Sequence, residues 1–150
     1  MVCDERVEPL RLQGEHWAVI REQVQAGVPL EVCGLLGGVG RRVLEVFPVK
    51  NVAPNPAVGY DADPQALFDV LRLLDERGWK LVGIYHSHPP GARAEPSPTD
   101  IRRAAYPGAV HMIIAPSHDG ETLIRRGFLI LEGGRVLEVP ILIEGEGDAG

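Results

Sequence analysis

Apolar positions along this chain recur with two different spacings, which predict alternating helices and strands. The spacing of Trp17, Ile20 and Val24 is that of one helix face and predicts a helix over 15–26. A second amphipathic run predicts a helix over 64–77. Shorter apolar or alternating runs predict strands over 32–38, 42–49, 80–85, 109–115, 121–131 and 135–143.

This order of elements predicts an α/β or α+β fold, with a mixed β-sheet flanked by helices. The chain has 150 residues, of which 45% are hydrophobic. That is enough for one domain with a core and too little for two. We expect a single domain over 1–150, with a short N-terminal segment (1–14) and a mobile tail (144–150). Gly133-Gly134 predicts a hairpin turn between the last two strands.

Charge and cysteine content narrow the classes of function. The chain carries 15 basic and 21 acidic residues and a formal charge of −6, which disfavours a nucleic-acid-binding surface. It has no apolar run of the ~18 residues that a membrane helix needs, and no apolar signal region near Met1. Two cysteines are too few for a disulfide scaffold, so we expect a cytoplasmic protein. Cys33 is predicted to be buried packing, and a bond between Cys3 and Cys33 stays open.

The strand over 80–85 leads into His86-Ser87-His88-Pro89. Side chains alternate across a strand, so His86 and His88 are predicted on one face and Ser87 on the other. Pro89 ends the pairing because it has no amide proton. Two rings at a strand end could reach one zinc ion, whose bonds to nitrogen are about 2.0–2.1 Å.

The segment Ser97-Pro98-Thr99-Asp100 has the pattern of a helix start. A cap is the commoner role for Ser97 and Asp100 taken alone. Their closeness to the histidine pair favours a second role, in which Asp100 is a third metal ligand. Two imidazoles and one carboxylate leave one position of a tetrahedral zinc open, as in catalytic sites.

Glu31 stands at the entrance to the apolar run over 32–38. It is either a solvated loop residue or a general base, which must accept a proton from water and deliver it to the leaving amine. Glu95 is a weaker candidate for the same role. We assign no ligand role to the remaining histidines, which have no second ligand type beside them: His16, His111 and His118.

These residues resemble the JAMM signature of the catalytic MPN (MPN+) zinc metalloproteases. The match consists of Glu31-Val32-Cys33-Gly34-Leu35-Leu36-Gly37, then His86-Ser87-His88-Pro89, seven residues, Ser97, two residues and Asp100. The resemblance implies an MPN fold, similar to the cytidine-deaminase-like architecture. It also implies one zinc ion per chain held by His86, His88 and Asp100. In that family Glu31 would be the general base, and Ser97 would stabilise the oxyanion.

The resemblance further implies a substrate class. MPN+ enzymes typically cut after the C-terminal Gly-Gly of ubiquitin or a ubiquitin-like protein, often at an isopeptide bond. Fifty residues follow Asp100 and are mostly predicted strands, which leaves little room for a ubiquitin-gripping insertion. The chain therefore resembles the compact prokaryotic members, some of which act on sulfur-carrier proteins. We expect a zinc metallopeptidase or isopeptidase that acts on ubiquitin-like or sulfur-carrier proteins, with the kind of bond, isopeptide or linear peptide, left open.

Two alternatives within the family stay open. A RadC-type, DNA-associated protein shares the His-x-His-Pro and Ser-x-x-Asp pattern, but it carries an N-terminal helical module for which 1–14 is too short. A non-catalytic MPN scaffold generally lacks the metal residues, which this chain retains. A deaminase is disfavoured, because the chain has no H-x-E and P-C-x-x-C signature. A homodimer is also left open.

Overall fold

Eight strands and three α-helices make up residues 7–145, the part of the chain that the computed structural model describes. The helices are α1 (Gly14–Gly27), α2 (Pro64–Arg77) and α3 (Pro98–Arg103). The strands are β1 (Leu10–Gln13), β2 (Cys33–Val39), β3 (Arg42–Val49), β4 (Lys80–Ser87), β5 (Val110–Pro116), β6 (Leu123–Ile130), β7 (Val136–Val139) and β8 (Ile141–Glu144). The two long predicted helices are confirmed, the second with its predicted bounds.

The strands form one mixed sheet in the order β7-β6-β5-β4-β2-β3-β1-β8. Strand β4 is parallel to β5 and antiparallel to β2, and β1 is parallel to both β3 and β8. The predicted α+β fold with a mixed sheet is therefore confirmed. Because β4 lies in the middle, the residues at its end are surrounded by neighbouring strands.

The C-terminal part of the sheet differs from the prediction. The segment 135–143, predicted as one strand, is two strands separated by Pro140. Strand β7 pairs with β6 and β8 pairs with β1, so the two ends of the sheet meet at this proline. Proline interrupts a ladder because it has no amide proton to donate. Strand β1 was not predicted, since four residues carry too short a pattern, although Leu10 and Leu12 are fully buried.

Helix α1 packs on one face of the sheet through the same apolar residues whose spacing predicts a helix there. Trp17, Ile20 and Val24 are buried in the main core together with Tyr85 of β4. Gly34 on β2 makes room for Tyr85, because a Cβ atom there would collide with the tyrosine ring. This packing turns Tyr85 toward α1, so its neighbours along β4 point to the opposite face.

Helix α2 lies on that opposite face. Asp63 caps its N-terminus by accepting a hydrogen bond from the Gln65 amide, and Gly78 ends it in a left-handed conformation. Leu74 packs toward β2 at Gly37, where a Cβ atom would collide with it. The histidines of β4 therefore face the same side of the sheet as α2.

Some predictions fall on residues that the structure does not describe. Cys3 lies outside the described residues, and so does most of the predicted tail, from 146 onward. The single-domain organisation over 1–150 stays a prediction. No helix among residues 7–145 is long and apolar enough to cross a membrane.

Candidate metal and catalytic site

Antiparallel pairing of β2 with β4 brings the distant parts of the motif together. Cys33 at the start of β2 lies opposite His86 near the end of β4. Glu31, two residues earlier, is therefore carried to the end of β4. Val32 fixes this junction: its carbonyl accepts from the Ser87 amide, and its amide donates to Ser87 Oγ, both at 2.9 Å. Ser87 is buried, and these two bonds hold the two strands together at this point.

His86, His88 and Asp100 converge on one point. Their ligand atoms lie within 4.8 Å of one another. The two Nε2 atoms are 3.1 Å apart, and Asp100 Oδ2 lies 3.1 Å from His88 Nε2 and 3.3 Å from His86 Nε2. Around a tetrahedral zinc with bonds of about 2.0–2.1 Å, neighbouring ligand atoms lie about 3.3–3.4 Å apart. The three side chains therefore fit a zinc ion in both donor chemistry and spacing.

Backbone contacts set the orientation of His88. Its Nδ1 lies 2.7 Å from the carbonyl oxygen of Arg93. A carbonyl only accepts, so Nδ1 carries the proton and Nε2 is left free as a ligand. The His86 ring is held differently, by stacking on Tyr60 with 4.2 Å between ring centroids. Tyr60 was not anticipated, because it lies in the long connection between β3 and α2.

Helix α3 presents Asp100 through its own cap. Ser97 Oγ accepts from the Asp100 amide at 3.0 Å, and Asp100 Oδ2 accepts from the Ser97 amide at 2.8 Å. The same Oδ2 faces both histidines, so the hydrogen bond of the cap also holds the carboxylate in the position of a metal ligand. Because Ser97 Oγ is an acceptor in the cap, its hydroxyl proton is available to donate into the adjoining cavity.

A cavity of about 570 Å³ opens beside these groups, and its lining includes Glu31, His88, Ser97 and Asp100. Glu31 is only 5% exposed. Burial raises the pKa of its carboxyl to about 7, with the charge of His88 opposing this and the charge of Asp100 adding to it. A base with a pKa near the working pH is well suited to take up and return a proton.

The three ligand candidates have distinct protonation tendencies. Burial lowers the pKa of His86, which favours its neutral form. Burial also acts to lower the pKa of His88, but hydrogen bonds with Asp100 and the Arg93 carbonyl outweigh it and raise that pKa. Asp100 has a pKa far below its usual range: burial opposes this, and hydrogen bonds with both histidines dominate. A metal ion would therefore compete with a proton mainly at His88.

Three other residues make contacts that stabilise the fold: Cys33, Glu95 and His16. Cys33 is buried, and burial raises the pKa of its thiol to about 12, as expected for inert packing. Glu95, the weaker base candidate, lies 3.2 Å from Arg126 in an ion pair. His16 accepts from the Gln13 amide at the start of α1. His111, which was given no role, is 4% exposed and lines the same cavity.

Comparison with known proteins agrees with this geometry. Residues 14–127 match the family model described as prokaryotic homologs of the JAB domain. The chain is 42% identical over 98 residues to a desampylase from Haloferax volcanii, covering 64% of this chain and 70% of that protein. It is 44% identical over 108 residues to a probable TtuB-protein conjugate cleaving protease from Thermus thermophilus, covering 72% of this chain and 67% of that protein.

The fold is shared with a crystal structure of a JAB1/MPN domain protein from Archaeoglobus fulgidus. The TM-score is 0.53 at 19% identity, over 88% of this chain and 98% of that one. This likeness confirms the predicted MPN fold. The family match spans every residue placed in the site, from Glu31 to Asp100. The chain therefore belongs to the family of prokaryotic JAB-domain proteins.

Proposed function

We propose that this protein is a zinc-dependent metallopeptidase or isopeptidase. In this proposal it hydrolyses the bond that follows the C-terminal Gly-Gly of a ubiquitin-like or sulfur-carrier protein. One observation carries the proposal: His86, His88 and Asp100 converge within 4.8 Å at the edge of a cavity that Glu31 and Ser97 also line. A structural metal site would have four protein ligands and no adjoining cavity.

Each of these residues has a defined part in the proposed hydrolysis. Zinc, when bound, supplies Lewis-acid activation of water and of the scissile carbonyl. Glu31 accepts a proton from the attacking water and later delivers it to the leaving amine. The Ser97 hydroxyl donates a hydrogen bond to the oxyanion that develops on the carbonyl. His88 and Asp100 keep their ligand atoms in place through the Arg93 carbonyl and the Ser97 amide.

The substrate class rests on the relatives and on the cavity. Two relatives are named a desampylase and a probable conjugate cleaving protease, and a conjugate between two proteins is the substrate that such names describe. The cavity is large enough for several residues of an extended chain, and it is lined by Leu35, Tyr60 and Ile84 as well as the polar groups. Specificity for a Gly-Gly tail and a cytoplasmic location are parts of the same proposal.

The test is intact-mass analysis of zinc-loaded protein incubated with ubiquitin-like and sulfur-carrier proteins, each extended beyond its Gly-Gly. The matched controls are the Glu31→Gln variant and wild-type protein treated with a chelator. We expect a product that ends at Gly-Gly, formed only by the zinc-loaded wild type and recovered when zinc is restored. Native mass spectrometry of the same samples measures whether the chain forms a homodimer.

Two results would contradict the proposal. A folded protein that retains no zinc at neutral pH would point to the scaffold alternative. A zinc-loaded protein that cleaves no carrier and binds DNA with a steep salt dependence would point to the RadC-type alternative. The formal charge of −6 disfavours the DNA-binding outcome.

A further inference from the structure

Asn51 stands at the start of the connection between β3 and α2 and uses the full hydrogen-bonding capacity of its amide. Its Nδ2 donates to the carbonyl oxygens of Glu31 at 2.9 Å and Gly59 at 3.1 Å. Its Oδ1 accepts from the amides of Ala53 at 3.0 Å and Asp61 at 2.9 Å. Two donors and two acceptor sites are all that an Asn side chain offers.

These bonds fix the backbone of the general base. Glu31 precedes β2, so the β-sheet ladder does not hold it. Its carbonyl accepts from Asn51, and its amide donates to the Pro56 carbonyl at 2.7 Å. Both polar groups of the Glu31 backbone therefore depend on the loop formed by residues 51–62. The ends of this loop are joined by a bridge between Asn51 and Ala62.

The same amide fixes the part of the loop that contacts one metal ligand, His86. Gly59 and Asp61, which Asn51 binds, flank Tyr60 in the sequence. The Tyr60 ring stacks on His86 with an interplanar angle of 19°. One side chain thus links the Glu31 backbone to the segment that carries Tyr60, which covers a metal ligand.

We propose that Asn51 is a positioning residue for the hydrolysis proposed above, on which this inference rests. It fixes Glu31 relative to His86 by tying the Glu31 carbonyl to the two residues that flank Tyr60. Asn51 itself contacts none of the three metal ligands in its four hydrogen bonds. Its loss should therefore affect the proton transfer that Glu31 performs more than the binding of zinc.

The test compares Asn51→Ala with Asn51→Asp in the full-length, zinc-loaded protein. Asn51→Asp keeps the acceptor that orders the loop and loses both donors, including the one to Glu31. Misplacing a catalytic group by about 1 Å can cost about 10²-fold, so we expect both variants to lose kcat by roughly 10–100-fold. The zinc Kd and the KM should stay within about threefold of wild type, since no ligand contact is removed.

Two amides provide matched controls. Gln23 donates to the Cys33 carbonyl at 2.9 Å, also close to Glu31 in sequence, but from α1 on the opposite face of the sheet. Asn55 lies in the same loop, is exposed, and accepts from the Ala57 amide. Gln23→Ala and Asn55→Ala should keep kcat within about twofold, even where Gln23→Ala lowers the free energy of unfolding.

Hydrogen–deuterium exchange of the same zinc-loaded variants provides a readout that needs no substrate. Backbone amides of Glu31 and of residues 51–62 should exchange faster in Asn51→Ala than in wild type, and should be unaffected in Gln23→Ala. Unchanged exchange at Glu31, or an Asn51→Ala variant with wild-type kcat, would overturn the inference. If wild type cleaves no carrier, the proposed function fails, and exchange alone decides whether Asn51 holds Glu31.

Discussion

Replacing Glu31 by glutamine should stabilise the metal-free protein while abolishing hydrolysis. Glu31 is 5% exposed, and burial raises the pKa of its carboxyl from 4.5 to about 7. The folded state therefore binds the proton more tightly than the unfolded chain, and wild-type stability falls as pH rises from about 4.5 through about 7. Glutamine has nearly the same shape and never ionises, so the variant does not incur this loss.

The size of the effect follows from the pKa change. The difference between 7 and 4.5 is 2.5 units. At about 1.36 kcal/mol per unit, this gives about 3 kcal/mol of extra stability for Glu31→Gln at about pH 8. Near pH 5 the gain should be about 1 kcal/mol, because the carboxyl is then mostly protonated in the folded state. Active sites commonly carry such a cost in stability for the sake of function.

The assay is urea unfolding of chelator-treated wild type and Glu31→Gln at the two pH values. The matched control is Glu22→Gln, an exposed position on α1, where we expect a change within about 0.5 kcal/mol. A Glu31→Gln variant that is no more stable than wild type at pH 8, or whose gain is equal at both pH values, would refute the reasoning about burial.

Three further predictions concern the ligands and the cap. His88→Ala should lose zinc because it removes a ligand atom, and Asp100→Asn should bind zinc more weakly because it replaces a carboxylate by a neutral amide. Native mass spectrometry measures both, and Asp100→Asn keeps an acceptor for the helix cap. Ser97→Ala should keep zinc but lose about 10²–10³ in kcat, since one oxyanion donor is removed; a variant that also loses zinc would place Ser97 in the metal site. Zinc affinity should fall as the solution is made more acidic, because the pKa of His88 is raised above its ordinary value and the ion must displace its proton. Competition titrations with a chelator that show no pH dependence would contradict this.

The sequence was informative wherever a pattern was local and strong. Helix α2 has a proline at its start, an apolar face and a glycine at its end, so the pattern determined both bounds. The same holds for His86 and His88, whose common face follows from strand alternation. Ser97 and Asp100 form the predicted cap, which turned out to orient the carboxylate toward the histidines.

What the sequence did not reveal depends on contacts between distant segments. Strand β1 exists because it pairs with β3 and β8, and neither partner is visible in its four residues. Pro140 in a predicted strand was the available signal for the break between β7 and β8. Tyr60 and Asn51 lie in a loop with prolines and no periodicity. The pairing of β3 with β2, and of β2 with β4, brings that loop to the site.

In the proposed site one zinc ion is held by two histidines and one aspartate, with Glu31 close by and unbound. Anomalous diffraction at the zinc edge, from crystals of the zinc-loaded protein, locates the ion directly. We expect one peak within about 2.0–2.2 Å of His86 Nε2, His88 Nε2 and Asp100 Oδ2. A peak bonded to Glu31 or His111, or no peak between these three side chains, would contradict the proposal.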